Sequence, residues 1–204
     1  MIAMKTIYLT TTSPGYESLT EQMIRSSGVD DWEVIEETSE GDFGESNFNL
    51  LCNRRMQRVF ELVAAGHPVF VCDGDVIWLK PITELNVAGF DIIAQHDPDS
   101  GLCAGVCHYA ANNNVATVLS CVANFGADND NVNDQIILNH VLKQAPDYCK
   151  LGTFSNVLSW GLLRNDASLW DGQEFDLPLD CHGFHANFTI GKENKTKLLN
   201  YVRG

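Results

Sequence analysis

The chain has 204 residues, 45% of them apolar and 20% charged, enough to close one good hydrophobic core and too short for two generous domains. Thirteen Lys and Arg against 27 Asp and Glu leave a formal net charge of -14, which works against nucleic acid and anionic membrane surfaces as partners. The same acidity would repel a phosphorylated ligand unless a metal ion or a local basic cluster reverses the sign.

Thr6 to Thr11 reads as a buried strand, followed by the Ser13-Pro14-Gly15 turn. Tyr16 to Ser27 then shows helical spacing through Tyr16, Leu19, Met23 and Ile24, ending at Gly28. Trp32 to Glu36 predicts a second strand, and Gly41 to Ser46 a Gly-rich acidic loop. The next helix carries Phe48, Leu51, Cys52, Met56, Val59, Phe60 and Val63 on one face and stops at Gly66, with Arg54, Arg55 and Arg58 clustered outside the centre of that stripe. Val69-Phe70-Val71-Cys72 is a third strand that breaks off at Asp73-Gly74-Asp75, before a short apolar piece, Val76 to Leu79, and Pro81. Asp91 to Gln95 and Gly101 to Ala111 read as further strands. After the polar tract Asn124 to Asn131, a helix runs from about Asn133 to Gln144 and ends before Pro146. The remainder predicts shorter strands and loops, closed by a Lys-rich segment. Strands alternating with helices predict an α/β fold in a single domain, with a mainly parallel central sheet and helices on both faces.

Seven cysteines, odd in number and without a CxxC pair, are expected to be buried reduced thiols. Cys103, Cys107 and His108 lack the second ligand pair that structural zinc requires. There is no basic and then apolar leader and no apolar run of membrane-spanning length, so the expected location is the cytoplasm, without membrane insertion. The Asn-x-Ser/Thr patterns at Asn187 and Asn194 are then incidental.

Asp73-Gly74-Asp75 is the centre of the chemistry. Two carboxylates at the carboxyl end of a parallel strand project into the crevice where open α/β sheets bind ligands, and Gly74 lets the backbone come close. Hard oxygen ligands suit Mn2+ or Mg2+, and such an ion completes its shell with water and a ligand's diphosphate, which answers the charge problem. Asp-Gly-Asp is also ordinary turn chemistry, but apolar segments on both flanks distinguish this one from a solvent turn.

The run from Val69 to Pro81 resembles the DxD region of GT-A nucleotide-diphospho-sugar transferases. Three further segments match that family in the same order, over most of the chain. The resemblance implies a Rossmann-like GT-A fold, with a nucleotide-binding half at about residues 1–80 and an acceptor-side half at about 81–204. It implies nucleotide contacts at Thr10, Thr11 and Thr12, and a small-residue strand beneath the donor sugar at Leu102 to Val106 that includes Gly105, although Cys103 and Ala104 replace the polar residues common there. Asn133-Asp134-Gln135 is similar to the family's helix start, which places Asp134 and Gln135 near the anomeric carbon; alternatively, Asn133 or Asp134 only caps that helix. The segment around His182 and His185 resembles the one supplying a third metal ligand, with His185 preferred, and a diphosphate contact from Gly191 and Lys192. From the basic cluster, Arg58 is the candidate to face the diphosphate.

These residues together imply a glycosyltransferase with Mn2+ or Mg2+ as cofactor, a UDP-sugar donor and a glycan or other hydroxyl acceptor. The resemblance points to retention of configuration, with inversion through Asp134 as general base the alternative. A sugar-1-phosphate nucleotidyltransferase and a non-catalytic carbohydrate-binding module are the rival readings. The first usually opens with a basic Gly-rich loop, which the Thr10 to Gly15 segment lacks.

Overall fold

Apolar runs of strand period and apolar stripes of helix period alternate along the chain. The computed structural model, which describes residues 4–37, 46–129 and 131–204, folds them as two sheets with helices packed around them. In chain order the elements are β1 (Ile7–Thr12), α1 (Glu17–Ser27), β2 (Trp32–Glu36), α2 (Ser46–Ala64), β3 (Val69–Cys72), β4 (Val76–Trp78), a 3-10 turn (Ile82–Glu84), β5 (Ile92–Asp97), β6 (Gly101–Tyr109), α3 (Asn113–Asp128), α4 (Asp134–Gln144), β7 (Leu151–Phe154), β8 (Val157–Ser159), α5 (Trp160–Arg164), β9 (Gly183–His185) and α6 (Lys192–Arg203).

The central sheet has six strands in the order β2-β1-β3-β6-β5-β7. All neighbours are parallel except around β6, which runs against both β3 and β5. The sheet is therefore mainly parallel, as expected, with one reversed strand that spacing did not reveal. A smaller sheet, β4-β9-β8, lies against it. Most of the acidic loop expected at Gly41 to Ser46 falls outside the described residues.

Two adjacent rows of side chains show how the period-2 pattern builds the core. Leu9, Val71, Cys107 and Ala94 are level across β1, β3, β6 and β5 and face α2, α3 and α4, meeting Met56, Val59, Leu119 and Leu138. One residue along, Tyr8, Phe70, His108 and Ile93 form the opposite row, beside Met23 of α1 and Val76, Trp78 and Val157 of the small sheet. A third cluster, built on Leu19, Ile77, Trp160, Phe184 and Leu198, joins α1, α5 and α6 to the small sheet.

The predicted elements that precede Asp73 agree with the structure to within a residue or two. The helix α3 is an element that spacing missed. Its sequence is rich in Asn and Ala, and the polar tract read from Asn124 includes its last turn. Asn112 caps it by accepting from the Val115 amide at 3.0 Å, and Val115, Val118, Leu119 and Val122 are buried at helical spacing. The Lys-rich segment forms α6, with Leu198 and Leu199 buried. All seven cysteines are free thiols, and only Cys121 among them is exposed. Among the described residues no helix is long and apolar enough to cross a membrane.

His108 is a polar side chain set in an aromatic row. Its Nδ1 has no hydrogen-bond partner among the described residues, and its ring lies 6.4 Å from that of Phe70. Burial lowers its pKa to about 4. The unfolded chain, at an ordinary value of about 6.5, binds more protons between these two limits, so stability is whole above that window and is lost as pH falls through it. In urea titrations at a series of pH values, the wild type should lose stability on this limb at up to about 1.4 kcal/mol per pH unit more steeply than His108→Leu. Parallel curves for the two proteins would assign the acid limb to other groups.

Candidate metal centre and cleft

β1 and β3 are parallel neighbours, and a cleft opens where both end. Asp73 is the first residue past β3, and its amide donates to the Gly105 carbonyl of β6 at 2.6 Å. The β5–β6 ladder is irregular here, pairing Ala94 with Cys107 and then Gln95 with Cys103, so Ala104–Val106 are released from β5. Gly105 is consequently packed against the site. A Cβ there would collide with the Asp73 carboxylate and stand 2.8 Å from His185 Cε1. Gly74 has the same kind of constraint, since a Cβ would collide with Thr20 Oγ1 of α1.

The next few residues explain how His185 reaches the turn from so far along the chain. β4 pairs with β9 so that Val76 stands opposite His185, and the Ala186 amide donates to the Asp75 carbonyl at 2.9 Å. His185 Nε2 then lies 3.2 Å from Asp75 Oδ1 and 3.7 Å from Asp73 Oδ2. Asp73, Asp75 and His185 each offer a ligand atom within 4.8 Å of the others. His185 Nδ1 is 2.8 Å from Gln95 Oε1, which takes its hydrogen and leaves Nε2 facing the carboxylates. Two carboxylates and an imidazole nitrogen form a donor set that suits a hard divalent cation, with the nitrogen favouring Mn2+ over Mg2+.

Protein cations surround these carboxylates. Lys195 Nζ donates to Asp75 Oδ2 at 2.7 Å. Burial works against the Asp75 charge, but Lys195 and His185 outweigh it and hold the carboxyl well below the usual range. Burial likewise opposes charge on His185, and Asp75 overcomes it, raising the imidazole well above its ordinary value. Arg55, 2% exposed, donates from one nitrogen to Asp73 and from the other to Asp134 Oδ2 at 2.7 Å.

On the far side of the cleft, the start of α4 is fastened to β6. Asn133 caps the helix by accepting from the Ile136 amide at 3.0 Å, leaving the Asp134 carboxylate to Arg55. Gln135 Oε1 accepts from the Ala104 amide at 3.1 Å and its Nε2 donates to Ser100 Oγ at 2.8 Å. One turn on, Asn139 bonds both the amide and the carbonyl of Leu102, at 3.0 and 2.7 Å.

The cleft thus gathers Thr11, Thr12, Asp73, Gly74, Asp75, Gly105, Asp134, Gln135 and His185 of the residues that the sequence singled out. Thr10, Arg58, Gly191 and Lys192 lie outside its lining. Thr10 is fully buried. Arg58 is held by Glu33 at 2.6 Å and Glu61 at 3.2 Å, and Arg55 is the member of the cluster that turns inward. That difference has a signal in the sequence: Arg55 is three residues past Cys52 and four before Val59, within the apolar stripe. Gly191 precedes α6 with φ 81°, and Lys192 is exposed in its first turn. Lys195, one turn on, is the lysine that enters the cleft. His182 bonds the Pro81 carbonyl through Nε2 at 2.8 Å, away from the carboxylates.

Residues 18–199 match the family model described as nucleotide-diphospho-sugar transferase. No curated protein matches the chain. Among solved structures, the fold is similar to that of a glycosyltransferase involved in the glycosylation of the major capsid of PBCV-1, with TM-score 0.63 and 14% identity over 96% of this chain and 98% of that one. It is also similar to the glycosyltransferase GlyE of Streptococcus pneumoniae TIGR4, with TM-score 0.50 and 15% identity over 74% of this chain and 46% of that one. The bifunctional glycosyltransferase WbbM gives TM-score 0.52 and 10% identity over 91% of this chain and 46% of its own. This chain therefore spans about half the length of GlyE and WbbM. At these identities the likeness is one of fold.

The two arginines make different demands on stability. Arg55→Met leaves Asp134 buried without its cation and should cost about 3–5 kcal/mol in chemical denaturation of the metal-free protein. Arg58→Met, which breaks half-exposed pairs, should cost no more than about 1 kcal/mol. Equal losses would mean that burial of the Arg55 pair has no special weight.

Proposed function

From the premise that this chain belongs to the nucleotide-diphospho-sugar transferase family and is a glycosyltransferase, we propose that it transfers sugar from a UDP-sugar donor with Mn2+ or Mg2+ held by Asp73, Asp75 and His185. Family membership displaces the nucleotidyltransferase and binding-module alternatives. The observation that carries the metal reading is the convergence of two carboxylates and an imidazole nitrogen in the cleft where β1 and β3 end, in a chain whose net charge of -14 would otherwise repel a diphosphate.

When bound, the ion would supply charge neutralisation to the leaving diphosphate. The chain's own groups do the rest by position and charge. Thr11 and Thr12, at the end of β1, offer hydroxyls and backbone polar groups for the nucleotide. Lys195, whose ammonium donates to Asp75 and lines the cleft, offers a positive charge for the diphosphate. Asp134 faces the cleft as a fixed negative charge, its Oδ2 held by Arg55, which suits stabilisation of an oxocarbenium-like centre and retention of configuration. Gln135 is secured at both ends of its amide and holds Ala104 and Ser100 in place around the sugar position. The acceptor is a glycan or another hydroxyl compound.

The test is thermal unfolding with UDP and with a panel of nucleotide-sugars, in Mn2+, in Mg2+ and in chelator, followed by slow donor hydrolysis in the same conditions. UDP at a hundred times its Kd should stabilise the native state by about 2.7 kcal/mol with metal, and its effect should vanish in chelator. Asp75→Asn should fold and lose this stabilisation. Equal stabilisation with and without metal, or wild-type behaviour in Asp75→Asn, would reduce Asp-Gly-Asp to a turn.

A further inference from the structure

Gln95 sits on β5 at the irregularity that releases Ala104–Val106, and it spans from the central sheet to the small one. Its side chain is buried, at 1% exposure. Nε2 donates to the Val157 carbonyl of β8 at 3.4 Å, and Oε1 lies 2.8 Å from His185 Nδ1 on β9. A carbonyl can only accept, so the amide nitrogen faces Val157 and the oxygen faces the imidazole. This fixes the orientation of the carboxamide and, with it, which ring nitrogen keeps a hydrogen. Cys103 Sγ, the other neighbour of Nδ1, is at 3.9 Å and is a weaker acceptor. The ring therefore donates from Nδ1 to Gln95 and turns Nε2 to Asp73 and Asp75.

We infer that Gln95 is a positioning residue of the metal site, setting the tautomer and the plane of the His185 ring so that Nε2 is presented to the ion. The inference rests on the metal reading proposed above. Partners of this kind hold a ligating imidazole in register and raise its basicity, and their loss typically lowers metal affinity about 10- to 100-fold. A plain tie between the two sheets would instead affect stability alone.

The experiment is a Mn2+ titration of the full chain with and without UDP, read by the electron paramagnetic resonance of free Mn2+, on wild type, Gln95→Leu and Gln95→Glu, with metal-free melting temperatures measured alongside. Gln95→Leu should bind Mn2+ about 10- to 100-fold more weakly, whereas Gln95→Glu, which still accepts from Nδ1, should keep wild-type affinity. Undiminished affinity in Gln95→Leu, or an equal loss in both variants, overturns the inference while the metal reading stands. A wild type that binds Mn2+ in neither condition overturns both. Imidazole 15N NMR of the wild type with saturating Mg2+ needs no variant: a hydrogen retained on His185 Nδ1 supports the role, and a hydrogen on Nε2 instead overturns it.

Discussion

Asp73, Asp75 and Asp134 crowd negative charge into one cleft of an already acidic chain, and much of the surrounding structure is a response to that crowding. Burial alone would drive Asp75 to take up a proton. Arg55 reaches the other two carboxylates from α2, and Lys195 and His185 compensate Asp75 from the C-terminal part of the chain. The positive charge that an acidic protein needs around a phosphorylated ligand is therefore local, and it is brought in by elements on both sides of the site. α2 and α6 are as much counter-charge carriers as they are packing elements.

The sheets fix where those charges meet. β3 ends just before Asp73, β6 runs back beside it with Gly105 at the point of closest approach, and the β4–β9 ladder sets His185 against the residue after Asp75. These two pairings are regular, and the ladder on the other side of β6 is the one that is interrupted. The skipped pairing in β5–β6 frees Ala104–Val106 for the cleft, and the same position carries Gln95, whose amide couples the two sheets. Irregularity and site coincide here because a side chain that reaches across sheets needs a place where the ladder is open.

Much of this was legible in the sequence. The helices up to Asp73 announce themselves by an apolar stripe and a glycine stop, and the strands by short apolar or β-branched runs between turn signals. The Asp-Gly-Asp carboxylates stand out by local pattern, whereas the helix start at Asn133 and His185 stand out through the family resemblance. What could not be read was direction and reach. Arg55 and Arg58 are alike by composition; spacing against the apolar stripe favours Arg55, but its reach to Asp73 and Asp134 exists only in the fold. Lys192 precedes Lys195 in the chain, but α6 carries the later lysine into the cleft one turn on. Gln95 has no motif, since its role exists only when β5, β8 and β9 are brought together. α3 was missed because its Asn- and Ala-rich sequence hides a buried stripe of valines and a leucine.

The β4–β9 pairing joins segments roughly 110 residues apart, and it also governs when the cleft can come into being. During synthesis the Asp-Gly-Asp turn emerges before its histidine and lysine partners, which follow Asp75 by roughly 110 and 120 residues. Loop-closure entropy must be met before the ladder rewards it. A nascent chain that has already formed β1, β3 and α2 therefore carries Asp75 without its counter-charges until β9 and α6 dock, so the site assembles after the strands that carry its carboxylates.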